Sequence, residues 1–355
     1  MQSLNAIDIA RIFIPSTVAF FIGIAMTPFL SHYLYKHRMW KKKSVEFALD
    51  GSPATISNSL HRDEIKKTPR MGGVIIWGST FVTVLFFAVL AKFTDGGLAE
   101  KLDFLSRNQT WLPLFTMIVA SLVGLIDDFM VVSNKGSYVG GGIPLKIRIG
   151  VVLLIGFIGA WWFYSKLGVT TIHIPFWGNL FLGYLLIPLF MIVMLAIFSG
   201  GVIDGIDGLS GGIMATIFTA YGGIALFQNQ IDLAAFCIVV SGSILAFLWF
   251  NIPPARFYMS ETGMLGLTTS LTVVAFLTQS VVVLPIIAFP LFVASGSVII
   301  QMLSKKFRKG KKIFLVAPIH HHFEALGWPA YKVTMRFWVI SVVCAIIGMV
   351  IALIG

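Results

Sequence analysis

The chain has 355 residues, of which 57% are hydrophobic and only 12% charged, with 26 Lys and Arg against 15 Asp and Glu. A soluble domain carries about 25% charged residues, so this chain cannot cover a soluble surface of its size, and its apolar content excludes disorder. Two cysteines, Cys237 and Cys344, both in apolar runs, exclude a disulfide scaffold. An all-α, polytopic membrane protein remains.

A membrane-crossing helix needs about 20 mostly apolar residues. Ten segments qualify in chain order: roughly 10–30, 72–91, 111–126, 147–164, 180–199, 211–227, 232–250, 263–279, 281–303 and 334–354. The first is too long, and too little basic at its front, for a cleaved signal peptide. No internal repeat is evident, and residues 1–355 read as one integral membrane domain. The alternate loops 31–70, 127–148, 200–210, 251–261 and 304–336 hold 21 of the 26 Lys and Arg. Loops rich in Lys and Arg stay in the cytoplasm, which predicts both termini outside. The net charge of +11 is therefore mostly a topology signal. Because the basic residues flank spans and form no separate domain, no nucleic-acid partner is expected.

The acids sort by side. Asp8, Asp95, Glu100, Asp103 and Asp232 fall outward, and Glu46, Asp50, Asp63 and Glu64 lie in the first basic loop. Asp127, Asp128, Asp204, Asp207, Glu261 and Glu324 sit on the cytoplasmic side, the first five beside a span. Carboxylates at a membrane boundary are costly unless solvated, paired or bound to a cation, so their clustering points to function. Asp127-Asp128 can also be read as a simple end to a hydrophobic run. In Ser199-Gly-Gly-Val-Ile-Asp-Gly-Ile-Asp-Gly-Leu-Ser-Gly-Gly212 the two aspartates are three apart, on one face of a helical turn. Glycine around them allows close backbone approach to a ligand, or merely a hinge.

Residues 251–263 add an arginine, two aromatics and Glu261. The last basic loop carries Ala317-Pro-Ile-His-His-His-Phe-Glu324. Adjacent histidines cannot share one helix face, and zinc sites usually use spaced ligands or thiolates. Contact with phosphate or nucleotide is the favoured reading, with zinc as the alternative. Together with Lys66, Lys67, Arg70 and Arg148, this inventory suits phosphoryl transfer. Acids could hold Mg²⁺, which uses few protein carboxylates plus substrate phosphates, while bases neutralise other phosphate oxygens. The absence of a Gly-x-x-x-x-Gly-Lys-Ser/Thr loop argues against an ATP-driven pump.

The sequence resembles the phospho-N-acetylmuramoyl-pentapeptide transferases, within the polyprenyl-phosphate N-acetylhexosamine-1-phosphate transferases. The carriers of the resemblance are Lys67-Thr-Pro-Arg-Met-Gly-Gly73, Asp127-Asp128, Asp204-Gly-Ile-Asp-Gly-Leu209, Phe250-Asn251, the Ala317–Glu324 run and Arg336-Phe-Trp-Val-Ile340. The resemblance implies transfer of phospho-MurNAc-pentapeptide from its UDP carrier to undecaprenyl phosphate in the bacterial inner membrane. Lipid I and UMP would form at the cytoplasmic face, with Mg²⁺ as cofactor; the family also suggests a homodimer. Asp127, Asp128 and Asp204 then stand as catalytic residues. By the same resemblance Lys67, Thr68, Arg148, Asp207, Tyr258, His320, His321 and His322 would contact substrate, and Asp128, Asp204 and Glu261 would contact the metal.

The chain departs from the family pattern at several of these places. Val131 replaces a usual Lys, Phe198 and Gly201 replace usual Asn residues, and Arg148 stands for Lys. Met259-Ser260-Glu261 replaces Met-Gly-Asp, and the lysines before Thr68 lack the customary spacer. Competing readings are a relative using another UDP-N-acetylhexosamine, an inactive membrane protein binding lipid or partner, and a transporter. No inverted halves with interrupted helices are visible to favour the last.

Overall fold

The computed structural model describes residues 5–41, 67–93, 98–106, 109–134 and 141–355. Lys66, Glu46, Asp50, Asp63, Glu64 and Asp95 lie outside the described residues. The chain begins with α1 (Ala6–Lys36), α2 (Val74–Phe93), the short α3 (Leu98–Leu102), α4 (Trp111–Ser133) and α5 (Leu145–Ser165). Next comes an antiparallel hairpin of β1 (Thr171–Ile174) and β2 (Gly178–Phe181), with Thr171 opposite Phe181. Helix α6 (Leu186–Ser199) is extended at both ends by 3₁₀ turns, Gly183–Leu185 and Gly200–Ile203. It is followed by α7 (Leu209–Phe227), α8 (Ile231–Asn251), α9 (Ser260–Leu277), α10 (Leu284–Ile287), α11 (Phe289–Phe307), α12 (Ile319–Ala325) and α13 (Ala330–Ile354).

Eight helical segments among the described residues are long and apolar enough to cross a membrane: Ala6–Lys36, Val74–Phe93, Trp111–Ser133, Leu145–Ser165, Gly183–Ile203, Leu209–Phe227, Ile231–Asn251 and Ala330–Ile354. The protein is a multi-pass membrane protein. Two of the ten segments expected from sequence behave differently. The eighth appears as α9, whose Thr268, Thr269, Ser270 and Thr272 lower its hydropathy. Those residues are buried against protein and need not satisfy lipid. The three threonine hydroxyls donate back to carbonyls four residues earlier, so those three groups are satisfied inside the helix. The ninth is broken at Ala288 between α10 and α11, with Pro285 and Pro290 near the helix starts. Proline lacks the N–H that would continue the ladder. The hairpin was not expected; it projects Phe176, Trp177 and Phe181 outward. Exposed aromatic rings of this kind suit a membrane–water interface.

Small residues set the helix spacing. Lipid tails offer no hydrophobic drive for helices to associate, so close backbone packing must supply it. A Cβ at Gly23 on α1 would stand 2.6 Å from that of Ala246 on α8, and one at Gly242 would stand 2.5 Å from the Ser16 carbonyl. The tightest contact joins α4 to α9. A Cβ at Gly124 would overlap the Glu261 carbonyl, and one at Gly266 would overlap the Ser121 hydroxyl. The C-terminal part of α4 is thereby held against the first turns of α9.

The start of α1 and the end of α13 lie at the opposite pole of the bundle from the acid-rich loops. Arg11 pairs with Asp232 at 2.7 Å where α8 begins, and Phe176 N–H donates to the Gly355 carbonyl.

Overpacking a close contact costs about 1–3 kcal/mol. Gly124→Ala and Gly266→Ala are each expected to lower the Tm of detergent-solubilised protein by several degrees. Gly150→Ala, where a Cβ meets nothing within 4 Å, is expected to leave Tm unchanged or slightly raised. Thermal unfolding of the three variants checks this, and equal Tm values would refute the tight α4–α9 seam.

Candidate active site

The acids predicted to cluster do so, and most of the contacts that gather them run through the start of α9. Asp128, on α4, is completely buried. Its Oδ1 accepts from Arg70 Nε at 2.9 Å, while its Oδ2 accepts from the Thr262 backbone N–H at 3.0 Å and the Thr262 hydroxyl at 2.6 Å. One carboxylate thus joins α4, the 67–73 segment and α9. Breaking such a buried pair typically costs about 3–5 kcal/mol.

Asp127, one residue earlier, faces the start of α5. Its Oδ1 accepts from Ile143 N–H at 2.5 Å, and its Oδ2 lies 3.9 Å from Arg148 Nη1. The same guanidinium nitrogen donates to Glu261 Oε1 at 2.5 Å. Arg148 is therefore shared between two carboxylates. Glu261 is the more open of them, with 28% of its side chain exposed.

Asp204 lies between the 3₁₀ turn Gly200–Ile203 and α7. Its Oδ1 accepts from the Ser210 hydroxyl at 2.7 Å and its Oδ2 from Ser260 N–H at 2.8 Å. Among the described residues no cationic group lies within 4.0 Å of Asp204. Burial raises its carboxyl above the usual carboxylate range, against the opposing pull of the Ser210 and Ser260 hydrogen bonds and of Arg70. Asp207 accepts from Ala255 N–H at 3.0 Å.

Asn251 fixes the loops between these acids. Its side-chain oxygen accepts from Gly208 N–H at 2.9 Å and its amide donates to the Phe257 carbonyl at 2.9 Å. Gly208 has φ +76 and its carbonyl accepts from Trp338 Nε1 at 3.1 Å, so α13 holds the same turn. Tyr258 is partly buried; its N–H donates to the Pro69 carbonyl and its carbonyl accepts from Gly72 N–H. That pairing docks the 67–73 segment beside α9. Within the segment Lys67 is exposed and Thr68 buried.

The three histidines occupy α12, and they divide. A Cβ on Gly205 would stand 2.7 Å from Nε2 of both His320 and His321, so these two rings close over the Asp204–Asp207 turn. His321 Nδ1 lies 2.6 Å from Glu324 Oε2. His322 turns elsewhere, its Nδ1 accepting from Leu315 N–H at 3.1 Å beside the Phe314 ring. Successive helical residues are about 100° apart, which explains why three adjacent histidines do not face one point. Ser210, Ser260 and Thr262 contact the acids and were not singled out from sequence. The available signal was a Ser or Thr within one or two residues of a helix start beside an acid.

The positions that depart from the family pattern also have structural places. Val131 is buried against Gly141, and Phe198 packs in an apolar cluster with α5 and α9. A Cβ at Gly201 would stand 3.8 Å from the Cβ of Met264.

For a divalent cation the chemistry of the donors is suitable. Asp204 and Glu261 offer hard carboxylate oxygens on adjoining segments, and no cationic group among the described residues lies within 4.0 Å of Asp204. No group of three His, Cys, Asp or Glu poised to hold a metal occurs among the described residues.

Residues 110–279, which contain Asp127, Asp128, Asp204, Asp207 and Glu261, match the family model described as Glycosyl transferase family 4. A phospho-N-acetylmuramoyl-pentapeptide-transferase of Geobacillus sp. (strain WCH70) is 36% identical over 293 residues, covering 80% of this chain and 83% of the relative. One of Chloroflexus aggregans is 31% identical, covering the whole of this chain and 94% of the relative. One of Listeria welshimeri is 32% identical over 81% of this chain and 84% of the relative. At 31% identity over the whole of this chain and 36% over 80% of it, the chain belongs to the phospho-N-acetylmuramoyl-pentapeptide-transferase family.

Proposed function

We propose that the protein transfers phospho-MurNAc-pentapeptide from UDP-MurNAc-pentapeptide to undecaprenyl phosphate, giving lipid I and UMP for peptidoglycan synthesis. The observation that carries the reading is the meeting of acids from α4, the 204–207 turn and α9 with Arg70, Arg148 and two histidines at one end of a membrane bundle. In the reaction, an oxygen of the lipid phosphate attacks the sugar-bearing phosphorus. The bond from that phosphorus to the bridging oxygen breaks, and UMP leaves with the bridging oxygen.

Each residue has a role consistent with its surroundings. Asp127 is the candidate to take a proton from, or orient, the lipid phosphate, with Arg148 neutralising charge between it and Glu261. Asp128 is better suited to positioning, because it is fully buried and Arg70 already balances its charge. His320 and His321 would meet phosphate or sugar over the Asp204–Asp207 turn, and Tyr258 would lie near the base. Asp204 and Glu261, with Asp128 behind them, would hold Mg²⁺, which supplies charge neutralisation to the diphosphate and its leaving group. Phosphoryl transfer depends mainly on such positioning and electrostatic stabilisation.

The excess of Lys and Arg in the loops on the acid-bearing side supports a cytoplasmic site in the bacterial inner membrane, both termini outside. A homodimer is part of the same reading.

Release of UMP from UDP-MurNAc-pentapeptide and undecaprenyl phosphate should rise with Mg²⁺ and vanish in EDTA. Asp204→Asn and Asp128→Asn should each lose about 100-fold or more in rate, about 3 kcal/mol of transition-state stabilisation, while still eluting as monodisperse protein. Normal rates in both variants, or full activity in EDTA, would sink the metal-assisted mechanism. Product from UDP-GlcNAc alone would instead favour a relative with another donor. For topology, Lys312→Cys should resist an impermeant thiol reagent applied to intact cells and react after permeabilisation. Labelling before permeabilisation would reverse the orientation.

A further inference from the structure

Ser260 is anomalous in two independent respects, its backbone and its buried hydroxyl. Its φ is +59, in the left-handed region that residues with a Cβ seldom occupy. It is 4% exposed, and its hydroxyl has no hydrogen-bond partner among the described residues. Buried hydroxyls nearly always find one. A glycine here would adopt the same backbone without strain, so a side chain that is both strained and unsatisfied calls for a use.

Its neighbours indicate what that use is. The Ser260 N–H donates to Asp204, the next residue meets Arg148, and Thr262 holds Asp128. The hydroxyl is thus attached to the one backbone stretch that touches all three parts of the site. It lies in the first turn of an 18-residue helix whose positive dipole end favours anions. Nearby protein carboxylates already accept from other donors, so an incoming anion is the acceptor the hydroxyl lacks. We propose that Ser260 is a phosphate-binding residue, its hydroxyl donating to a non-bridging phosphate oxygen of a substrate at this site. The inference rests on the transferase reading above. It adds a contact that strained backbone and an unpaired donor, rather than charge, reveal.

Two phosphate sources are possible, the nucleotide donor and the polyprenyl phosphate, and two measurements separate them. Detergent-solubilised wild type, Ser260→Ala and Ser260→Gly are titrated calorimetrically with UDP and with uridine. The KM for undecaprenyl phosphate is measured alongside. A nucleotide contact predicts UDP binding about tenfold weaker in both variants with uridine binding unchanged. A lipid contact predicts a KM about tenfold higher in both, with UDP unaffected. In either case Ser260→Gly should melt no lower than wild type, because the left-handed strain is gone. Unchanged UDP affinity and KM in both variants would overturn the proposal. So would losses confined to Ser260→Gly, or equal losses for UDP and uridine, since these report backbone or fold. A wild type that neither binds UDP nor releases UMP would instead overturn the transferase reading, and this contact with it.

Discussion

Three hydrogen bonds into a single buried carboxylate determine where the rest of this site can be. Asp128 is fully enclosed and accepts from Arg70 and from both the backbone and the hydroxyl of Thr262. An ionised carboxylate in such a place is expensive unless its lone pairs are met and its charge balanced. Satisfying it requires α4, the 67–73 segment and α9 to arrive together. Once Thr262 is fixed, Ser260 and Glu261 have little freedom, and Asp204 and Arg148 are positioned through them.

That convergence is possible because α4 and α9 can approach closely. Gly124 and Gly266 remove the side chains that would separate them, and threonines along α9 return their hydroxyls to their own backbone. The helix is less apolar than its neighbours because protein, and not lipid, surrounds it. The same burial that relaxes its need for hydrophobicity gives its first turn a setting where N–H groups and hydroxyls act in low dielectric. There they interact more strongly with anions than they would in water.

Composition and the spacing of apolar runs made the helical membrane architecture legible, because lipid imposes one simple rule on long stretches of chain. The acids were legible for a related reason: carboxylates are rare here, and their recurrence beside spans stood out. Less legible were the features created by contact. Nothing local distinguishes Thr262 from other threonines until Asp128 is beside it. The split of the histidines depends on α12 being helical, which turns His322 to Leu315 while His320 and His321 close over Gly205. The hairpin at 171–181 was hidden because its short strands contain too few residues to display a period. The α10–α11 break followed from two prolines that an apolar window does not weigh.

The substitutions at Arg148 and Glu261 acquire a joint explanation from their 2.5 Å contact. Glutamate is one methylene longer than aspartate, and arginine presents a broad fork where lysine presents a point charge. Here a single guanidinium nitrogen, Nη1, serves Glu261 while lying 3.9 Å from Asp127. Charge at the mouth of the site is therefore set by a triad from α4, α5 and α9, and removing Arg148 would strip both acids of the guanidinium they share. Two changes that look like separate erosions of a motif in sequence form one electrostatic unit in space. Its partly exposed member, Glu261, is the one that a cation or an incoming phosphate can reach.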